Sequence, residues 1–245
     1  MPQIVLLPLF VVYRNGRHIC YVEDYDYDTS LGTITAVEID RDKHTELGKV
    51  LVEDFHLSYP FLFEDSGELY MCPETHQAKQ IRIYKCTDFP LGWELHKVIM
   101  SDVSTVDTNL FKFDSRWWML TNIDSSGTGE QCSELHLFYA DTFDSTEWTP
   151  HPLNPIIFDS LKARNGGLLF DGSDIYRVFQ AQGFDLYGAS MGLAKITELT
   201  TQTYTEELFC SITPDYFKNL YGNHTYSFDH GLMVLDFVRV EENRI

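Results

Sequence analysis

Positive charge is scarce in this 245-residue chain: 18 Lys and Arg stand against 37 Asp and Glu, a formal net charge of −19. Such a surface repels nucleic acid and anionic membranes, so neither is an expected partner, although an acidic surface also serves solubility alone. Cysteine is sparse too, and Cys20, Cys72, Cys86, Cys132 and Cys210 include no CxxC pair. An odd number of dispersed thiols fits neither a zinc site nor a disulfide scaffold, and reads as reduced cysteine in a cytoplasmic protein. No apolar run reaches the roughly 18 residues of a membrane-spanning helix, so no membrane insertion is expected. The opening "MPQIVLLPLFVVYRNG" lacks a basic stretch and a small-residue cleavage site, which argues against a secretory leader. Helical periodicity is weak throughout.

What the chain does have is strand signal, in short β-branched and aromatic runs broken by Gly, Asp and Ser. One module recurs: an apolar strand, a tight turn, then a second aromatic-rich strand. It reads "LPLFVVYRNGRHICYVED", "YPFLFEDSGELYMCPE", "TNLFKFDSRWWMLTN", "GGLLFDGSDIYRVFQ" and "HTYSFDHGLMVLDF". Copies start roughly 50–60 residues apart, a period typical of propellers and solenoids. Two hairpins are followed by a further pattern, "IYKCTDFPLGWELH" and "FYADTFDSTEWTPH", in which Tyr84 leads to Trp93 and Tyr139 to Trp148. We read these as third and fourth strands. The expected fold is therefore an all-β, five-bladed β-propeller with four antiparallel strands per blade, filling residues 1–245 as one domain. A β-sandwich is the alternative, but nothing in a sandwich requires such a repeat.

In a propeller the first strand of each blade lines the channel and its partner runs back antiparallel. Residues just before the first strand and just after the second then share one rim. Blade one offers Leu7, Glu23 and Asp24; blade two His56, Ser58, Tyr59, Glu74 and His76; blade three Asp107, Thr108 and Asn122. Blade four adds Arg164, Asn165, Gln180 and Gln182, and blade five Asn223, His224 and Asp236. Buried unpaired, these groups would be costly, so they pair with one another as a plug or with a ligand. Carboxylate, His, Arg and amide together suit a polyhydroxylated ligand, and a carbohydrate or glycoconjugate is the expected partner.

Glycosidic cleavage needs two carboxyl groups, one protonated and one ionised. Glu74 is the expected general acid, and Asp107 the base, nucleophile or modulator of the acid. Arg164 would hold a substrate oxygen or carboxylate through its donor fork. Tyr59 and nearby aromatics could stack on a sugar ring. His56, Tyr59, His76, Arg164, Asn165, Gln180, His224 and Asp24 are the expected ligand contacts. His224 could orient a hydroxyl or ligate a channel ion, or simply be a satisfied channel histidine. No cofactor and no metal site are expected beyond such an ion.

Other motifs carry less. "RNGG" and "SSGTGE" lack the Lys and helix of a phosphate loop. "YVEDYDYDTS" lacks EF-hand spacing, and "NHT" on a channel strand is a poor glycosylation acceptor.

The combination of "FHLSYPFLFEDSGELYMCPETHQA", "TDFPLGWEL", "VDTNLFKFDSRWWMLT", "LHLFYADT", "WTPHPLNP" and "GNHT" resembles the amino-terminal domain of glucosamine inositolphosphorylceramide transferases and their bacterial relatives. That domain is in turn similar to family 43 and family 32 glycoside hydrolases. The resemblance spans nearly the whole chain and implies a five-bladed propeller with a role in glycan metabolism. For the plant proteins it implies that transfer chemistry belongs to a separate domain. Two departures stand out. Leu7-Pro8-Leu9 replaces the usual Asp-Pro-Phe, whose Asp is the expected base in family 43, and Gln180-Ala181 replaces Gln-Asp. Tyr59-Pro60, Glu74, Asp107, Ala163-Arg164 and His224-Thr225 match. Two functions follow from this: a sugar-active enzyme using Glu74 and Asp107, or a non-catalytic glycan-binding or accessory module using the same rim. A protein-interaction propeller fits the polar rim less well.

Overall fold

The computed structural model describes residues 8–41, 43–184 and 186–239. Regular structure among them is all strand apart from one 3-10 turn at His76–Ala78. The first sheet is β1 (Leu9–Arg14), β2 (Arg17–Asp26), β3 (Leu31–Asp40) and β4 (Lys43–Leu51). The second is β5 (Ser58–Asp65), β6 (Glu68–Glu74), β7 (Gln80–Asp88) and β8 (Gly92–Ser101). The third holds β9 (Thr105–Phe113), β10 (Arg116–Ile123), β11 (Glu134–Ala140) and β12 (Thr149–Pro150), with β13 (Ile157–Phe158) also on β11. The fourth is β14 (Asn165–Asp171), β15 (Asp174–Ala181), β16 (Ser190–Leu199) and β17 (Tyr204–Ile212). In each sheet the strands pair antiparallel in chain order, so the sheets form the blades of an all-β propeller.

The fifth module departs from the expected four strands. Among the described residues it is one interrupted hairpin: β18 (Leu220–Gly222) and β19 (Tyr226–Asp229) going in, β20 (Leu232–Leu235) and β21 (Val238–Arg239) returning. The break falls where the Asp236 carboxylate accepts the backbone N–H groups of His224 and Thr225, at 2.9 and 2.8 Å. A side chain there replaces the strand ladder. The third sheet also deviates, because Trp148 opens an outer strand of only two residues. Proline at 150, 152 and 155 removes the N–H groups a longer strand would need.

One local device builds all five inner hairpins. Asn15-Gly16, Ser66-Gly67, Asp114-Ser115 and His230-Gly231 each place both turn residues at φ between 43° and 82°. That is the type I′ turn, whose twist matches the flanking strands. Gly172-Ser173 has positive φ only at Gly172, 59°, as in type II′. All five loops are two residues long, which fixes one register, so equivalent residues of successive modules reach the same height along the channel.

The core lies in the wedges between sheets. Tyr21, Met71, Tyr84 and Trp93 fill the space between the first two, where Trp93 meets Tyr21 edge-on at 5.3 Å. Phe63, Tyr70, Trp117 and Phe143 pack in the next wedge. Ring closure uses "RNGG": a Cβ on Gly166 would stand 2.5 Å from the His224 carbonyl oxygen, and one on Gly167 2.6 Å from that of Tyr226. Glycine is therefore what lets β14 approach the fifth hairpin. From the other side, Val11 N–H donates to Ser227 Oγ at 3.1 Å and Tyr13 N–H to Asp229 Oδ2 at 2.6 Å. No helix among the described residues is long and apolar enough to cross a membrane.

Candidate functional site

Shared register turns the rim into a ring. Six residues beyond the first pair of each turn, the returning strands of the first four modules carry Glu23, Glu74, Asn122 and Gln180. Six residues before it, the five inner strands are led by Pro8, Tyr59, Asp107, Asn165 and Asn223. All nine are buried. Register shifts at Ser58/Phe61, Leu120/Asn122 and Asn165/Gly167 mark bulges at this height, which re-aim side chains next to a site. Tyr59 and Asp107 take φ of 45° and 49° there, a left-handed backbone that costs about 1–2 kcal/mol for a residue with a Cβ. Side-chain bonds hold it in place. The Tyr59 hydroxyl donates to Asn109 Oδ1 at 2.9 Å, and Asn165 Nδ2 donates to the Asp107 carbonyl at 2.8 Å.

Arg164 is the hub. Its Nε donates to Asp107 Oδ2 at 2.5 Å, its Nη2 lies 3.7 Å from Glu74 Oε2, and its guanidinium sits 5.4 Å from the Tyr187 ring centroid. One guanidinium spanning both groups confines those two carboxylate oxygens to within roughly 9 Å of each other. Gln180 Nε2 also donates to Asp107 Oδ2, at 3.0 Å. Burial pushes Asp107 up to about 6 even with Arg164 beside it.

Two glutamates at equivalent positions each face a histidine, and their electrostatics differ. Burial pushes Glu74 up, but the His76 hydrogen bond at 2.7 Å and the Arg164 charge outweigh it and hold Glu74 below its ordinary value. That bond raises His76 in turn, so the two form an ion pair. Burial pushes Glu23 up to about 7, although Ser58 Oγ donates to its Oε2 at 2.6 Å. His56 Nε2 is 3.6 Å from Glu23 Oε1, and burial lowers His56. Its Nδ1 accepts the Gly32 N–H at 2.8 Å. That bond occupies the Nδ1 lone pair, so the proton of neutral His56 sits on Nε2, toward Glu23.

The structure brings together Glu74, Asp107, Arg164, Asn165, Gln180, His56 and His76, and places Asp24 and Tyr59 elsewhere than the expected contacts. Asp24 is not at the ring: strand alternation turns its carboxylate to the other face, where it accepts from Thr35 Oγ1 at 3.3 Å and pairs with Lys49 at 3.5 Å. Glu23 takes the inward position. Tyr59 is fully buried, edge-on to Phe10 at 4.9 Å, so it offers no face to a sugar. Tyr25, Tyr27 and Tyr187 are the accessible rings here, with Tyr25 5.7 Å from His56. His76 and Arg164 hold Glu74 toward its ionised form, which disfavours proton donation from it. Leu7 lies outside the described residues.

His224 Nδ1 is paired with Asp236 Oδ2, and Tyr187 sits edge-on at 5.4 Å. Among the described residues no three His, Cys, Asp or Glu side chains are grouped to hold a metal ion. Sequence reasoning missed Tyr187 and Cys132, whose Sγ is 3.8 Å from Arg164 Nη1. Neither stands at a hairpin end, where the repeat pointed. Several buried polar atoms here have no hydrogen-bond partner among the described residues: Asn165 Oδ1, Gln180 Oε1 and Gln182 Nε2.

Comparison with known proteins places this geometry. The family described as "Glucosamine inositolphosphorylceramide transferase 1, N-terminal" matches residues 8–221. Glucosamine inositolphosphorylceramide transferase 1 of Arabidopsis thaliana is 35% identical over 213 residues, covering 84% of this chain and 27% of that protein. The protein of the same name from Oryza sativa subsp. japonica is 40% identical over 164 residues, covering 65% of this chain and 22% of its own length. The chain thus spans about a quarter of these relatives. Among solved structures, a thermostable family-43 glycoside hydrolase superposes with a TM-score of 0.62 at 13% identity, covering 82% of this chain and 73% of that one. The catalytic domain of the Coprinopsis cinerea family 62 α-L-arabinofuranosidase gives 0.63 at 12% identity, covering 92% and 74%. At such identities the likeness is one of fold. The match over residues 8–221 shows that this chain belongs to the glucosamine inositolphosphorylceramide transferase N-terminal domain family.

Proposed function

We propose that the channel mouth binds a glycan or glycoconjugate and that its buried carboxyl groups cleave or transfer a glycosidic bond. One observation carries this reading. Asp107, which burial pushes toward its protonated form, and Glu74, held toward its ionised form, meet on the one Arg164 guanidinium, beside amide oxygens with no donor among the described residues. Unpaired buried acceptors each cost about 1–3 kcal/mol. They are closed to solvent, so a buried water linking them to a sugar's hydroxyls would satisfy them. Opposed protonation states are what acid–base cleavage of an acetal requires. The interrupted fifth hairpin is, on this reading, the inner half of a fifth blade that closes the ring. The family's link to glycolipid-transferase names and the hydrolase-like fold support a carbohydrate ligand, and the net charge of −19 argues against nucleic acid.

A second reading, a glycan-binding or accessory module without turnover, is favoured by one contact. Arg164 sits 2.5 Å from Asp107 and neutralises it, which blunts Asp107 as a base. Measuring binding and turnover for a panel of aryl glycosides and bacterial glycans, with Glu74→Gln and Asp107→Asn alongside, separates the two. The enzyme reading expects turnover that both substitutions abolish. Saturable binding with no turnover selects the accessory module, and no binding to any member overturns both.

A further inference from the structure

We propose that Glu23, rather than Glu74, delivers the proton to the departing glycosidic oxygen, with Ser58 positioning its carboxyl group and His56 completing its neutral surroundings. The inference rests on the bond-cleaving reading above and gives it a donor.

Three features of the geometry single out Glu23. It occupies on β2 the position that Glu74 occupies on β6, so both carboxyl groups stand at one height on adjacent sheets. Its immediate partners are neutral: the Ser58 hydroxyl at 2.6 Å and His56, whose Nδ1 is engaged by the Gly32 N–H at 2.8 Å. Protonating His56 at Nδ1 would break that bond, so His56 resists becoming a counter-ion. Glu74, in contrast, has His76 at 2.7 Å and Arg164 at 3.7 Å, both cationic. The remaining charges that face Glu23 are Glu74, Asp107 and His224. The two carboxylates favour a proton on Glu23, and His224 opposes them when charged. Burial and neighbouring anions keep the proton on Glu23 against the Ser58 donor, whereas two cations draw it off Glu74.

The bond from the anomeric carbon to the leaving oxygen breaks, and its electron pair stays with that oxygen, which takes the Glu23 proton. A water oxygen gives an electron pair to the anomeric carbon and its proton passes to Glu74. An acceptor hydroxyl in place of water makes the same step a transfer. Proton exchange with solvent then returns Glu23 and Glu74 to their starting states, with the half-buried His76 beside Glu74 as the outlet.

The test compares two glycosides of the sugar that the panel selects, a methyl glycoside and a dinitrophenyl glycoside whose leaving group departs without a proton. Glu23→Gln is expected to lower kcat/KM on the methyl glycoside by about 100-fold or more, and on the dinitrophenyl glycoside by under about tenfold. Glu74→Gln should lower both alike. Ser58→Ala removes a hydroxyl that favours the ionised form, so the basic limb of the pH–rate profile should move to higher pH. Equal losses on both substrates in Glu23→Gln, or an unmoved limb in Ser58→Ala, overturn the assignment and leave bond cleavage standing. Absence of turnover on every glycoside overturns both.

Discussion

Among the described residues two guanidinium groups are buried, and they are buried differently. Arg177, on β15, puts two nitrogens into one carboxylate, with Nε and Nη2 at 2.8 and 2.6 Å from Glu206. Tyr204 OH donates to that carboxylate at 2.6 Å, and Arg177 Nη2 also reaches the Lys162 carbonyl at 2.8 Å. This fork binds the fourth sheet to the segment that enters it. Arg164 instead divides itself between Asp107 at 2.5 Å and Glu74 at 3.7 Å. Its contacts come from three sheets, and beside them lie amide oxygens with no donor. Arg177 commits two nitrogens to one carboxylate inside one blade, with its Nη1 left without a partner among the described residues. Arg164 joins carboxylates of two neighbouring blades, and on the proposed reading this junction is where a ligand is held.

Removing each arginine should break the comparison most visibly. Arg177→Met leaves Glu206 buried without its partner and is expected to lower unfolding free energy by about 3–5 kcal/mol. Urea denaturation would read this loss, and glycan affinity per folded molecule should stay unchanged. Arg164→Gln should cost about 3 kcal/mol at pH 8, but its loss should depend on pH. Without the guanidinium, the Asp107 carboxyl rises further above about 6. A carboxyl raised in the folded state stabilises below its unfolded value and loses that stability as pH rises, so the deficit should shrink toward pH 5. A pH-independent deficit would make Arg164 a second Arg177.

A smaller effect sharpens the electrostatic half. Glu23 at about 7, against an ordinary 4.5, contributes stability at low pH that is lost between those two values. Glu23→Gln escapes that loss and should exceed the parent by on the order of 2–3 kcal/mol at pH 8. At pH 4 the two should be equal in parallel urea titrations. The smallest effect is expected at Asp24, on the outward face of β2. Asp24→Asn should change stability by under about 0.5 kcal/mol, and calorimetric titration should find glycan affinity unaltered.

Much of this was legible before the structure. The five hairpins could be read because their turns need residues that tolerate positive φ, and "RNGR", "DSGE" and "DHGL" advertise them. The Glu74, Asp107 and Arg164 gathering followed from placing hairpin ends on one rim. Choosing Asp24 over Glu23 was an error of a single residue, which in a strand exchanges the two faces. Counting from the Asn15-Gly16 turn to the height of Glu74 reaches Glu23, so that signal was present. The proton assignments were not legible. They depend on the Gly32 N–H reaching His56 and on Arg164 crossing to Glu74, contacts between segments far apart in the chain. The break in the fifth hairpin was equally hidden, because it is made by the Asp236 side chain accepting two backbone N–H groups.

The account turns on one site holding two equivalent glutamates in opposite protonation states. Following the side-chain carboxyl carbons of 13C-labelled glutamate by NMR from pH 3 to 9 tests this directly, with Glu23→Gln and Glu74→Gln assigning the signals. The account predicts a Glu23 midpoint near 7 and a Glu74 midpoint below the ordinary 4.5. Coincident midpoints, or Glu74 titrating above Glu23, would contradict it.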